Sequence, residues 1–342
     1  MEVTGHQAIS VREMSQAGQA RRTAVVLAER LGFDPEQSGR LGLVVTEAAT
    51  NLVKHAQGGE IVLGPSREEE ARGVEVLAMD RGPGIRDLDR AFGDGYSTSG
   101  SMGSGLGAIR RNASLFDLYS SESGTILFAR VGTHPGHGAD APDRHAGKEL
   151  FEVGAVCVPC PGETVSGDAW AIARTVGRIH VLLADGLGHG QDAHVASSLA
   201  AQIFSENASD EPVELIRRLH DALRPTRGAA AAVLELNLAE RTACLAGIGN
   251  ISAVILADGT QRSMVSHHGV LGHSTHRVHE FVYPWPPRAL VVLHSDGIGT
   301  HWDLARYPGL MRRHPTLIAA ALYRDFHRQR DDATVVALRE SA

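Results

Sequence analysis

The stretch Val181-Leu182-Leu183-Ala184-Asp185-Gly186-Leu187-Gly188-His189-Gly190 decides how the second half of this chain is read. Four apolar residues form a short buried run of strand type, and an aspartate stands where it stops. Glycine follows at once, so the backbone can turn sharply and bring a carbonyl toward whatever the carboxylate faces. The arrangement recurs along the chain: Ser166-Gly167-Asp168 precedes a strand-like run, Ser295-Asp296-Gly297 follows Leu290–Leu293, and Asp331-Asp332-Ala333-Thr334 leads into Val335–Leu338. A single Asp-Gly is an ordinary turn signal. Repeated at strand ends, the aspartates point to a shared hard cation held by oxygen ligands, Mg²⁺ or Mn²⁺.

At 342 residues the chain has room for two domains, each with its own core. Apolar content of 43% and charged content of 21% are those of a globular protein, and the net charge of −7 argues against a nucleic acid partner. No apolar run is long enough to span a membrane, and Met1–Ala20 does not read as a signal peptide, so a cytoplasmic location is expected. The cysteines are Cys157, Cys160 and Cys244. Cys157-Val-Pro-Cys160 has metal-like spacing but no second pair, so a structural role in a strand and a reducing compartment are expected.

Residues 132–148 are rich in glycine, proline and small polar residues, without apolar periodicity, and read as a flexible linker. Its His134, His137 and His145 are read as solvated. The chain is expected to divide into 1–131 and 149–342, with no internal repeat.

In the first part, helical spacing spans Ser15–Leu31 and Pro35–Ala56. Glu47, Asn51 and His55 recur every four residues and so share one face of the second helix. Strands are expected at Glu60–Leu63, Gly73–Met79 and Thr125–Arg130, and a helix at Ala108–Leu115. The second strand runs into Asp80-Arg-Gly82-Pro-Gly84, and the last helix is preceded by Gly103-Ser-Gly105-Leu-Gly107. A glycine-rich loop opening a helix suits phosphate, because free backbone N–H groups and the positive helix end face the anion. The spacing fits neither a Walker A loop nor a Rossmann loop.

Together, Glu47-x-x-x-Asn51-x-x-x-His55, Asp80-x-Gly82-x-Gly84 and Gly103-x-Gly105-x-Gly107 resemble the GHKL (Bergerat) ATP-binding family. The stretch from Phe92 to Ala108 is similar to the RsbT-type switch kinases of the stressosome. The resemblance implies an α/β sandwich with helices on one mixed sheet. It also implies that Asn51 holds Mg²⁺ on ATP, that Asp80 accepts from the adenine amino group, and that Gly82, Gly84, Gly103, Gly105 and Gly107 shape the nucleotide site. Glu47 would be the general base toward the attacking hydroxyl, consistent with phosphoryl transfer as mainly positioning and electrostatics.

In the second part, strand runs are expected at Phe151–Val158, Ala169–Val176, Arg178–Ala184, Ala229–Leu236, Thr242–Ile248, Ser252–Leu256, Val278–Val282, Ala289–Leu293 and Thr334–Leu338. Helices are expected at Asp192–Asn207, Pro212–Leu223 and Pro315–Phe326. Ser166-Gly-Asp168, Ala184-Asp-Gly-Leu-Gly-His-Gly190, Gly247-Ile-Gly-Asn250, Ser295-Asp-Gly297 and Asp331-Asp-Ala-Thr334 resemble the PPM (protein phosphatase 2C-like) phosphatases of SpoIIE/RsbX type. That resemblance implies an α+β fold, an α-β-β-α sandwich with two Mn²⁺ or Mg²⁺ ions. Asp185 would bridge the ions with the Gly186 carbonyl as a further ligand. Asp296 and Asp331 would bind one ion, Asp168 would sit in the shell of the site, and Asp332 ranks below Asp331. A shared, acidified water would attack the phosphoserine or phosphothreonine phosphorus. His189 is read either as proton donor to the leaving alkoxide or as part of a turn. His267, His268, His273, His276 and His279 are read as structural or solvated on a hairpin. No arginine stands out as a phosphate ligand.

The combined expectation is a bifunctional switch, kinase plus opposing phosphatase, acting on a STAS-domain protein of sigma-factor control. Two alternatives are carried with it: a phosphatase gated by a non-catalytic ATP-sensing domain, and an anti-sigma binding module, with a sigma factor as partner, fused to a phosphatase. A homodimer is compatible with either.

Overall fold

A computed structural model describes residues 5–66, 73–88, 105–132, 150–275 and 278–341. The chain divides into two compact units, Met1–Ala146 and Gly147–Ala342. All of the expected linker except Gly132 lies outside the described residues, as do Phe92–Gly103 and His276.

Among the described residues, the first unit packs three helices on one face of a five-stranded sheet. The strands are β1 (Gln7–Val11), β2 (Gly59–Pro65), β3 (Gly73–Met79), β4 (Leu115–Ser121) and β5 (Gly124–Gly132), in the order β1-β2-β3-β5-β4. Every pairing among these described strands is antiparallel, which corrects the expected mixed sheet. The helices are α1 (Met14–Arg30), α2 (Pro35–Ala56) and α3 (Gly105–Asn112). Alternation sends Val74, Val76 and Ala78 of β3 toward the helices, where they meet Leu41, Val44, Val45, Ala48 and Leu52 of α2. Helix α2 starts on a capping box: Asp34 accepts from Gln37 N at 2.8 Å, and the Gln37 side chain returns the bond to Asp34 N at 2.9 Å.

The main departures from expectation are at α3 and β1. Helix α3 begins at Gly105 and ends at Asn112, whose amide donates to the Ala108 carbonyl at 2.8 Å, so Leu115 opens β4 instead of closing the helix. Strand β1 escaped the sequence reading because only Ile9 and Val11 of its five residues face inward.

The second unit stacks two antiparallel five-stranded sheets between helical layers. One sheet holds β7 (Asp168–Thr175), β8 (Arg178–Gly186), β9 (Ala229–Asn237), β10 (Thr242–Ile248) and β15 (Glu280–Pro284), in the order β15-β10-β9-β8-β7. The other holds β6 (Phe151–Val158), β11 (Ser252–Ala257), β12 (Thr260–Met264), β16 (Leu290–His294) and β17 (Ala333–Glu340), in the order β12-β11-β16-β17-β6. Strand β12 was missed because it is polar and mostly exposed, and β15 begins two residues later than its apolar run suggested. A small hairpin joins β13 (Gly269–Val270) to β14 (Ser274–Thr275).

The period of two divides the buried residues cleanly. Val181 and Leu183 of β8 enter the core between the sheets, with Trp170, Ala253, Val291 and Val336. Leu182 and Ala184 face the other way, against α4 (Gln191–Glu206) and α5 (Pro212–Ala222), where Phe204, Leu215, Ile216 and Leu219 are fully buried. Each such side chain contributes about 1.5–3 kcal/mol on burial. Helix α6 (Pro315–Phe326) covers β6 and β17 on the far side. The α-β-β-α order is the one expected.

Candidate active sites

In the first unit the site forms where α2, α3 and the end of β3 meet. Glu47 and Asn51 are half-buried on one face of α2, one turn apart. A Cβ placed on Gly105 would stand 3.2 Å from Glu47 Oε2 and 3.4 Å from Asn51 Oδ1. Both polar side chains therefore converge on the first residue of α3, where free N–H groups and the positive helix end lie. Asp80 follows β3. Its Oδ1 accepts from Gly82 N at 2.8 Å and Thr125 N at 3.1 Å, which fixes the carboxylate between β3 and β5. Gly84 has φ +72, and a Cβ there would lie 2.0 Å from the Ser121 carbonyl oxygen, so this turn requires glycine. Gly107 is buried within α3. His55 is exposed, and Gly103 lies outside the described residues. A side chain at Gly105 would crowd Glu47 and Asn51, and oxygen donors beside a helix start are of the kind that suits Mg²⁺ and phosphate.

In the second unit the aspartates come from both sheets at one end of the sandwich. Asp168 opens β7 and lies directly opposite Asp185 near the end of β8. Both share the inward parity of Trp170 and Leu183, so they stand at the rim of the inter-sheet core. Asp296 follows β16, and Asp331–Asp332 precede β17, its hydrogen-bonded neighbour. The Ser295 hydroxyl donates to Asp168 Oδ2 at 2.6 Å and accepts from Thr334 N at 3.0 Å, joining the two sheets at this rim. Asn250, after β10, donates to Asp296 Oδ2 at 2.7 Å. Asp331 Oδ1 accepts from Asp332 N, and Asp332 Oδ1 accepts from Cys160 N, each at 2.9 Å. Gly186 N donates to the Gly167 carbonyl at 3.0 Å, and the residue packs tightly against Ala193 of α4.

Burial and mutual repulsion dominate the electrostatics. Burial, with Asp168, Asp296, Asp331 and Asp332 adding to it, pushes the Asp185 carboxyl up to about 9. Burial pushes Asp168 up to about 7 against the opposing Ser295 hydrogen bond. Asp296 and Asp332 are raised as well, chiefly by burial. Carboxylates facing one another across a ladder are unfavourable unless a cation offsets them. Asp168 Oδ1 and Asp332 Oδ2 are buried acceptors without a hydrogen-bond donor. The oxygen-only set and these two orphaned oxygens fit hard divalent cations. Among the described residues, however, no three histidine, cysteine, aspartate or glutamate side chains stand in one coordinating group. The carboxylates of Asp168, Asp296, Asp331 and Asp332 are turned to the local donors named above.

Residues 11–131 match the family described as histidine kinase-like ATPase domain, and residues 175–340 match stage II sporulation protein E (SpoIIE). The serine/threonine-protein kinase RsbT of Bacillus subtilis (strain 168) is 34% identical over 101 residues, 30% of this chain and 76% of RsbT. The chain belongs to the RsbT-like ATPase family through its first half. Its second half is a SpoIIE-type PPM phosphatase domain. The phosphoserine phosphatase RsbX of the same organism is 22% identical over 138 residues, 40% of this chain and 69% of RsbX. A solved structure reported as "The bacterial stressosome: a modular system that has been adapted to control secondary messenger signaling" is 28% identical with TM-score 0.53, covering 56% of this chain and all 100% of the other. RsbX in complex with magnesium is 19% identical with TM-score 0.52, covering 57% of this chain and 98% of the other, and shares the fold.

The SpoIIE-type half contains site neighbours that the sequence reading passed over. Glu163 Oε1 lies 2.8 Å from His189 Nδ1, so a carboxylate stands beside the histidine. Ser295 was read only as part of its motif, and its cross-sheet bond spans 127 positions. Cys157, Cys160 and Cys244 are buried and in no disulfide among the described residues, and burial pushes the Cys160 and Cys244 thiols up, so neither of these two is an activated nucleophile. The His267 ring lies 5.6 Å from His279 and 5.3 Å from Phe281, a packed arrangement beside the phosphatase sheet. Among the described residues no helix is long and apolar enough to cross a membrane.

Proposed function

We propose that this chain sets the phosphorylation level of one STAS-domain regulator in both directions, with an RsbT-like kinase half and a SpoIIE-type phosphatase half. The observation that supports the reading is the presence of two opposed residue sets on one polypeptide. Glu47, Asn51 and the N-terminus of α3 converge in one unit. Asp168, Asp185, Asp296 and Asp331 gather at one rim in the other.

In the kinase half, Asn51 would hold Mg²⁺ on the ATP phosphates and Asp80 would accept from adenine. The start of α3 would face the triphosphate, with Gly82, Gly84, Gly103, Gly105 and Gly107 leaving room for it. Glu47, next to that helix start, would take the proton from the attacking serine or threonine hydroxyl. In the phosphatase half, Asp185 and the Gly186 carbonyl with Asp296 and Asp331 would hold two Mn²⁺ or Mg²⁺ ions. Asp168 would set the charge of the surrounding shell. When bound, the ions supply a hydroxide-like water at neutral pH. His189, fixed through Nδ1 by Glu163, presents its other nitrogen as proton donor to the leaving oxygen.

The test uses purified full-length protein, labelled ATP and a STAS-domain protein. Asp185→Ala protein should transfer label to the partner, and wild-type protein in Mn²⁺ should remove it. Absence of label with Asp185→Ala, while ATP still binds, would leave a phosphatase gated by an ATP-sensing domain. Co-purification with a sigma factor would favour the anti-sigma alternative.

A further inference from the structure

We infer that Arg328 is the residue that grips the substrate phosphate in the phosphatase half. The inference rests on the phosphatase reading and adds a specificity determinant to it.

The segment after α6 is laced to the Asp296 turn by its backbone. Gly299 N donates to the Phe326 carbonyl at 2.9 Å, Arg328 N donates to the Gly297 carbonyl at 2.8 Å, and Ile298 bridges His327. These bonds hold the Arg328 main chain against the residue that follows Asp296. Its side chain is exposed and, among the described residues, in no ion pair. Arg227, also near the glycine loop of Asp185, differs: it is tied to Asp192 at 2.5 Å. The Arg328 charge lies within electrostatic reach of Asp296 and of buried His294.

An arginine whose main chain is held beside a carboxylate cluster, with its guanidinium outside ion-pair contact, can turn that charge to a ligand of the cluster. Five aspartates with two divalent ions would sum to about −1, and a phosphate dianion would make the site more negative still. Some cation must face the non-bridging oxygens. Arginine suits that task, because its planar fork bonds two phosphate oxygens at once.

The test compares wild-type, Arg328→Ala and Arg328→Lys full-length proteins in Mn²⁺ with a phosphoserine peptide. Folding is checked by tryptophan fluorescence, and Mn²⁺ binding by titration calorimetry. Loss of a charge-assisted bond should raise KM for the peptide, and the inhibition constant of inorganic phosphate, by about 10- to 100-fold in the alanine variant. Lysine should restore part of this as a point charge, and Mn²⁺ affinity should stay within about 3-fold. Unchanged KM and phosphate inhibition in an active alanine variant would overturn the inference while leaving the phosphatase reading intact. So would a change in Mn²⁺ affinity alone, which would make Arg328 a neutraliser of the aspartates. A wild-type protein inactive on the peptide would sink the phosphatase reading, and the inference with it.

Discussion

Replacing Asp185 by asparagine should make the metal-free protein more stable while destroying its phosphatase activity. The reasoning starts from the pair Asp168–Asp185, which face each other across β7 and β8 at a buried rim. The carboxyl of Asp185 is ordinarily half-ionised at 3.8 and is pushed up to about 9 in the fold. Holding it protonated at pH 7 therefore costs the fold about 4 kcal/mol. The sign follows from linkage. Between those two values the folded state binds more protons than the unfolded one, so stability falls as pH rises, the reverse of a salt-bridged aspartate. Asparagine has the same shape and no charge to suppress, so a gain of about 2–4 kcal/mol is expected. With a urea slope of about 2 kcal/mol/M, the midpoint should rise by about 1–2 M. Trp170, Trp285 and Trp302 all belong to the second unit, so fluorescence in the intact chain reports that unit. The assay is a urea titration in EDTA at pH 5, 7 and 9, repeated in Mn²⁺. The variant should show a flatter pH profile and lose the Mn²⁺ stabilisation, which for wild type is about 2.7 kcal/mol at a hundredfold excess over Kd. A variant equal to or weaker than wild type in EDTA at pH 7, with the same pH slope, would refute the reasoning.

Three further changes test other parts of the molecule. Glu47→Ala should lower phosphoryl transfer to the partner by about 10²- to 10⁴-fold with ATP affinity kept, and a matching collapse of nucleotide binding in calorimetry would show that Glu47 is not the base. Gly84→Ala forces a Cβ to 2.0 Å from the Ser121 carbonyl at φ +72, so the Asp80–Gly84 turn must shift; loss of ATP binding and a cost of at least about 1–2 kcal/mol are expected, and normal ATP binding would contradict it. Buried His180 bonds Ala208 O and, at 2.6 Å, Glu235. Burial works to lower its pKa, but the Glu235 bond and the Ala208 carbonyl carry it above the ordinary value, while the His180 bond lowers Glu235. The His180 contribution is therefore complete below the ordinary histidine value and is lost as pH climbs through the raised one. The Glu235 contribution is present above the ordinary carboxylate value and is lost as pH falls through the lowered one. Glu235→Gln should cost about 3 kcal/mol at pH 6 and less at pH 9 in urea melts, and equal costs at both would count against a charged pair.

The aspartates were legible because each stands at the end of an apolar run, a local signal that needs no tertiary information. The layer order came with the resemblance to the PPM phosphatases, because Val181–Ala184 is apolar on both faces and does not itself say which side faces the other sheet. What completes the site is not local. Ser295 meets Asp168 across 127 positions and the Cys160 amide meets Asp332 across 172, and no spacing rule connects such pairs. Glu163 and Arg328 sit in irregular segments whose side chains acquire meaning only from the turns they are laced to. Strands β1 and β12 were passed over because each buries too few residues to stand out from a loop. The end of α3 was misplaced because Leu115 and Phe116 continue an apolar pattern that the Asn112 cap interrupts.

The Ser295 hydroxyl has a consequence for how this enzyme could be tuned. It is one of a few polar links, with Asn250–Asp296 and Arg241–Glu340, between two layers whose shared core is otherwise apolar. Sliding one layer past the other by an ångström would move Asp296 and Asp331 away from Asp168 and Asp185 together, without disturbing either ladder. In the proposed metal site, cation affinity would then fall with interlayer shear, and whatever restrains that shear would set the rate of dephosphorylation from a distance.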